Sequence, residues 1–120
     1  MASRGEAAEV MASATLVPGA RWLAEEKVDF TRELSAQVAR SPHGQAVAYP
    51  VVASQQVNGI CKEVVAPAVG VSAEHSARAQ RVALDVAAVL GVEGMLAVEM
   101  FDTERGVIIN ELAMRPHNTG

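Results

Sequence analysis

The stretch MLAVEMFDTERGVIINEL, residues 95–112, decides the fold. Residues 95–101 and 107–112 are apolar runs of strand length, and Asp102-Thr103-Glu104-Arg105-Gly106 between them has the chemistry of a turn, so the segment predicts a β-hairpin. Two polar interruptions mark it: Glu99 in the first run, Asn110-Glu111 in the second. Positions 99 and 111 share parity, so an antiparallel register pairing odd with odd sets both carboxylates on one sheet face, about 5–8 Å apart. Like charges that close repel. A divalent cation relieves the repulsion, and Mg2+ in particular takes one or two protein carboxylates, filling its remaining positions with water and phosphate oxygens. Asn110 would add a neutral oxygen beside them. On an arbitrary hairpin, two solvated glutamates on an exposed face are the commoner outcome. The apolar surroundings shift that balance, as does the polar cluster that follows, Arg115-Pro116-His117-Asn118. Arg clamps oxyanions bidentately, His donates a hydrogen bond or moves a proton, and Asn orients a small planar group; taken alone, the same four residues could form only a surface turn.

Upstream of the hairpin, Ser72 is placed to cap a helix over 73–90 that Gly91 terminates, with Ala79, Val82, Ala83, Val86, Val89 and Leu90 on one face. Before it, residues 33–40 and 45–52 flank the turn Ser41-Pro42-His43-Gly44 as another hairpin. A polar loop over 54–59 leads to a strand over 60–66, which Pro67 ends for want of an N–H. Residues 23–28 approach a strand. Ser3 and Glu6 resemble a capping box that opens a short helix carrying Ala7, Val10, Met11 and Ala14 and ending before Pro18-Gly19. The fold class is α+β: a mainly antiparallel sheet with helices packed on one face.

At 120 residues there is material for one core, assembled largely from Ala and Val, with Trp22, Phe30, Tyr49 and Phe101 as the aromatics. The net charge of -4 and only two lysines, Lys27 and Lys62, argue against a nucleic-acid partner. No apolar run approaches the ~20 residues that span a bilayer, and no signal-peptide core follows Met1, so a cytoplasmic protein without membrane contact is expected. Cys61, the sole cysteine, excludes an internal disulfide and reads as a structural thiol. His43 and His75 read as solvent-exposed, with no spacing that ties them to Cys61 or His117 as a zinc site, and Asp29, Arg32 and Glu104 as surface charges.

LAEEKVDFTRELSAQVARSPHG (23–44), YPVV (49–52), GICKEVVAPA (59–68), LAVEMF (96–101) and INELAMRPHNTG (109–120) together resemble the ATPase subunit of phosphoribosylaminoimidazole carboxylase. This family, also called carboxyaminoimidazole ribonucleotide synthase, belongs to the ATP-grasp superfamily. The resemblance implies an ATP- and bicarbonate-dependent ligase that carboxylates aminoimidazole ribonucleotide in purine biosynthesis through carboxyphosphate. It implies that backbone atoms of Glu25, Glu26, Lys27 and Val28 bracket the adenine and that Glu33 accepts hydrogen bonds from the ribose. Gln56 stands where many members carry a nucleotide-contacting His, and Met114 where Pro is usual. Glu99 and Glu111 would hold Mg2+ against the ATP phosphates with Asn110 assisting, and Arg115, His117 and Asn118 would form the site for bicarbonate and carboxyphosphate. Residues 1–120 correspond to the later part of an ATP-grasp domain. The N-terminal domain, the lysines and glycine-rich loop that grip the phosphates, and the C-terminal domain are absent, so a chain without catalysis of its own is expected, while complete members resemble homodimers. Two rival readings are a non-catalytic module that binds nucleotide weakly or not at all, and part of a different ATP-grasp ligase.

Overall fold

A computed structural model describes residues 4–13, 17–57 and 60–117, the side chains of 55–57 and 60–62 excepted. The elements run α1 (Arg4–Ser13), β1 (Arg32–Arg40), β2 (Ala46–Ala48), β3 (Val52–Val57), β4 (Ile60–Val65), α2 (Ala73–Leu90), β5 (Gly94–Thr103) and β6 (Gly106–Ala113). The strands form one antiparallel sheet in the order β4-β3-β1-β5-β6. The short β2 pairs with the last residues of β1, while β3 pairs with its first.

β1 is the central strand because its alternation is complete. Leu34, Ala36 and Val38 face α2 and are buried. β5 presents Leu96, Val98 and Met100 to the same core. α2 answers with Ala79, Ala83 and Ala87, one residue per turn, whose small side chains let the helix lie close on the sheet. Its ends form as the sequence predicts. Ser72 Oγ accepts from the His75 N–H at 3.0 Å, and Gly91, at φ 65°, closes the helix as Val92 N–H donates to the Ala87 carbonyl at 3.0 Å.

Several expectations are corrected. Val89 and Leu90, placed on the buried face, are 85% and 56% exposed; Ala87 occupies that face instead, since it lies one turn beyond Ala83 while position 89 lies on the opposite side. Residues 23–28 form no strand; no partner strand offers them a ladder. Most of the loop expected over 54–59 is strand: β3 continues through Val57, because pairing with β1 and then β4 satisfies its backbone whatever its side chains. Asp102 and Thr103, expected in the hairpin turn, end β5, leaving a two-residue connection at Glu104-Arg105. Thr103 Oγ1 donates to the Gly106 carbonyl at 2.7 Å and accepts from the Arg105 N–H at 3.2 Å, locking that connection. Of the two helices only α2 covers the sheet, for α1 buries no residue. The Ser3 cap and Ala14 lie outside the described residues, as does the Cys61 side chain.

No helix is long and apolar enough to cross a membrane among the described residues.

Candidate functional site

The sheet face opposite α2 carries the polar residues that interrupt the strands. Across β1 and β5 the register aligns Glu33 with Phe101, Ser35 with Glu99 and Gln37 with Ala97. Across β5 and β6 it aligns Glu99 with Glu111. Ser35, Glu99 and Glu111 therefore form one row over three strands. The odd-with-odd pairing read from sequence holds here only because of a β-bulge. Nearer the turn, Met100 pairs with Ile109 and Phe101 with Ile108, so Asn110 is the extra residue that restores Glu111 to the side of Glu99.

The row is electrostatically loaded. The Glu99 side chain is only 20% exposed. Its pKa is raised from 4.5 to about 7, first by burial, then by a hydrogen bond and charge repulsion from Glu111, with a smaller push from Glu33 and an opposing pull from Arg115. Glu33 is raised too, by burial and by Glu111. A carboxylate whose hold on its proton is strengthened by a second carboxyl beside it offers a cation the same place. Among the described residues no three His, Cys, Asp or Glu side chains group as a metal cage. A two-carboxylate set suits Mg2+, which keeps water and phosphate as its other ligands.

The segment after β6 folds back onto this row. His117, its side chain 12% exposed, sets Nε2 3.7 Å from Glu99 Oε1, and its backbone N–H donates to Gln37 Oε1 at 3.5 Å. Arg115 lies near enough to lower the Glu99 pKa and donates to the Pro116 carbonyl at 3.3 Å. Glu33, Glu99, Glu111, Arg115 and His117 are thus gathered on one face, and Asn110 is held in the bulge beside them. Asn118 and the Gln56 side chain lie outside the described residues.

Glu26, Lys27 and Val28 line a separate cavity of about 560 Å³, closed on its other side by Thr103, Glu104, Arg105 and Ile108. Glu25 does not line it. Glu33 lines a neighbouring cavity of about 470 Å³ with Ala53, Ser54 and Glu63, and Phe30 and Thr31 border both. Phe30 stacks on Phe101 with ring centroids 4.5 Å apart, joining the 26–31 segment to the strand that carries Glu99. Sequence reading passed over these rings; the shared parity of 99 and 101 was the available signal. Gln37 and Ser35 were also missed, hidden in a strand whose pattern reads as core.

The other face holds a clasp that corrects the surface assignments of His75 and Arg32. Asp102 is buried; its Oδ1 is 2.6 Å from His75 Nδ1 on α2, and its Oδ2 is 3.7 Å from Arg32 Nε. Arg32 also donates to the Val69 carbonyl at 3.4 Å.

The model of the ATP-grasp domain family matches residues 2–120. The chain belongs to the ATP-grasp family. Within it, this ATP-grasp chain is 54% identical over 114 residues to N5-carboxyaminoimidazole ribonucleotide synthase of Mycobacterium leprae, covering 94% of this chain and 26% of that protein. It is 37% identical over 116 residues to the Bacillus subtilis synthase, covering 96% and 30%. Among solved structures it is similar to N5-carboxyaminoimidazole ribonucleotide synthetase from Thermus thermophilus, with TM-score 0.74 and 35% identity over 78% of this chain and 26% of that one. It is also similar to the Aspergillus clavatus synthase in complex with ADP and 5-aminoimidazole ribonucleotide, with TM-score 0.65 and 36% identity over 76% and 24%. This ATP-grasp chain spans about a quarter of the length of the first of these relatives.

Proposed function

We propose that the chain carries the nucleotide pocket and metal-binding part of an ATP-grasp ligase that makes N5-carboxyaminoimidazole ribonucleotide from ATP, bicarbonate and aminoimidazole ribonucleotide, in a cytoplasmic, homodimeric whole enzyme. The observation that carries the reading is the row in which Glu99 opposes Glu111 across a bulge at Asn110 while His117 closes on Glu99. Arg115-Pro116-His117 directly after the acidic pair favours a carboxylating ligase of this kind over other ATP-grasp enzymes, an argument supported by the relatives at 54% identity.

In this reading the backbone of residues 25–28 brackets the adenine, with Gln56 at its edge, and Glu33 accepts from the ribose hydroxyls, since a carboxylate offers several acceptor sites and no donor. Glu99 and Glu111, with Asn110, would hold Mg2+, which when bound offsets the charge of the ATP phosphates. Bicarbonate oxygen attacks the γ-phosphorus, the bond to ADP breaks, and carboxyphosphate forms. The exocyclic amine of the acceptor then attacks the carboxyl carbon, releasing phosphate and a proton. Arg115, His117 and Asn118 would hold the oxyanion through both steps, placing donors where charge accumulates.

Calorimetric titration of ATP with and without Mg2+ tests the reading. Mg2+-dependent binding that disappears in Glu111→Ala supports it; binding indifferent to Mg2+ and to that substitution overturns it.

A further inference from the structure

On the face away from α2, the row next to the acidic one runs Gln37, Ala97 and Ala113. Its two alanines leave room for the chain that follows β6 to fold back over the sheet. Residues 114–116 are exposed and lie past the last rung of the β5–β6 ladder, so no strand partner fixes them. Pro116 has no N–H to offer. The next donor is the N–H of His117, and it meets Gln37 Oε1 at 3.5 Å. Gln37 itself is 5% exposed, and its Nε2 is buried with no hydrogen-bond partner among the described residues. Burying a donor in that way is unfavourable, and an apolar side chain of similar size would avoid it. An N–H must meet an acceptor, so the amide turns its oxygen to His117 and leaves its nitrogen committed to the interior. The position therefore gives up stability for one contact, and that contact is to the segment that carries Arg115 and His117.

We propose that Gln37 is a positioning residue, an acceptor that fixes the backbone at His117 and thereby sets the His117 ring beside Glu99. The ring is 12% exposed, with Nε2 3.7 Å from Glu99 Oε1. In this role Gln37 touches neither nucleotide nor metal and acts through His117. The inference rests on the reading given above that places His117 in the working site. A neutral acceptor suits the position, because the same face already carries Glu33, Glu99 and Glu111 and a carboxylate would add to their mutual repulsion.

Hydrogen exchange of the ¹⁵N-labelled chain, followed by NMR, tests this with Gln37→Met, which matches the side chain in size and has no comparable acceptor. The expected result is that exchange of the His117 N–H rises about 2- to 12-fold, the worth of one hydrogen bond between neutral groups. The β1 and β5 amides should keep their wild-type rates, and the melting temperature should not fall. Gln37→Glu, which keeps an acceptor oxygen whether or not it is protonated, should restore slow exchange at His117. Unchanged His117 exchange in Gln37→Met overturns the proposal, and so does a rise shared by the whole sheet, which would make Gln37 a contributor to core stability only. If neither variant folds, the wild type decides: a nuclear Overhauser effect between the His117 N–H and the Gln37 side chain supports the contact, and its absence overturns it. Mn2+ alone, a paramagnetic stand-in for Mg2+, separates this outcome from the reading of the site. Broadening of the Glu99 and Glu111 amides and the His117 ring in wild type, with only the ring released in Gln37→Met, supports both. A ring broadened equally in that variant overturns the positioning role and leaves the site reading standing. Mn2+ that broadens none of them overturns the site reading, and with it the purpose of the contact, whatever the exchange rates show.

Discussion

Glu99 on β5 and Glu111 on β6 face each other directly across the ladder, and burial together with the Glu111 carboxyl beside it raises the Glu99 pKa to about 7. Glu99 therefore gives up its proton only in the neutral range, and that loss, or replacement of the proton by a cation, should be measurable in several ways.

Glu99 has a pKa of 4.5 in the ordinary range and about 7 in the fold. The folded chain thus binds more protons than the unfolded one between these values, so this group's stabilisation is complete below about pH 4.5 and is lost as pH rises towards and through about 7. Thermal unfolding across that window should show a falling melting temperature for the wild type and a flatter profile for Glu99→Gln. Above pH 7 the variant should be the more stable by about 1 kcal/mol or more, on the scale of one pKa unit. Parallel profiles would count against the raised pKa of Glu99.

Mg2+ should raise the melting temperature most where the pair is fully ionised, at the alkaline end of the same window. Glu111→Ala should lose that response and keep the fold, as judged by circular dichroism, because Glu111 is exposed and outside the core. An undiminished Mg2+ response would move the metal elsewhere.

If Glu33 reads the ribose, ATP should bind better than its deoxyribose analogue by about 10- to 150-fold, the worth of a hydrogen bond to a charged group. Glu33→Ala should erase that preference, both nucleotides then binding alike in calorimetry. A preference that survives would assign the hydroxyls to another residue.

Asp102 is buried between His75 on α2 and Arg32 on β1. Removing it as Asp102→Ala should cost about 1–3 kcal/mol in urea unfolding, the worth of a hydrogen bond to a charged group, since His75 and Arg32 are partly exposed and can be solvated once it is gone. His75→Ala should cost less, and the double substitution should reveal coupling of about 0.5–3 kcal/mol. Additive effects would mean the 2.6 Å contact contributes nothing of its own.

The alanine stripe should be intolerant of growth. Ala83→Leu must push α2 from the sheet and should destabilise by about 1–3 kcal/mol. Val89→Ala, on the exposed side, should stay within about 0.5 kcal/mol of wild type in the same experiment.

Much of this was legible in the sequence, and the reasons differ by element. The α2 boundaries follow from Ser72 and Gly91, residues whose capping chemistry is local. The second hairpin follows from its apolar runs, and the acidic pair from the two interruptions. The depth of α2 on the sheet did not follow, because Val89 and Leu90 outrank Ala87 in hydrophobicity while geometry favours the smaller residue. β3 was misread as loop because its membership is decided by neighbours distant in sequence. The His75–Asp102 contact and the seating of His117 on Gln37 and Glu99 join residues 18 to 80 positions apart, as counted from the hydrogen-bonded and ion-paired partners, and no periodicity encodes them.

The bulge at Asn110 carries a consequence for chain length. In an unbroken ladder, neighbours in sequence serve opposite faces, so Asn110 and Glu111 could not both attend to Glu99. A chain one residue shorter between Gly106 and Asn110 would let the ladder heal, keep Glu111 across from Glu99, and turn the amide toward the helix side. The spacing of this hairpin is thus an inherited instruction in its own right: a single-residue deletion would separate what the acid contributes from what the amide contributes, a dissection that no substitution at another position could perform.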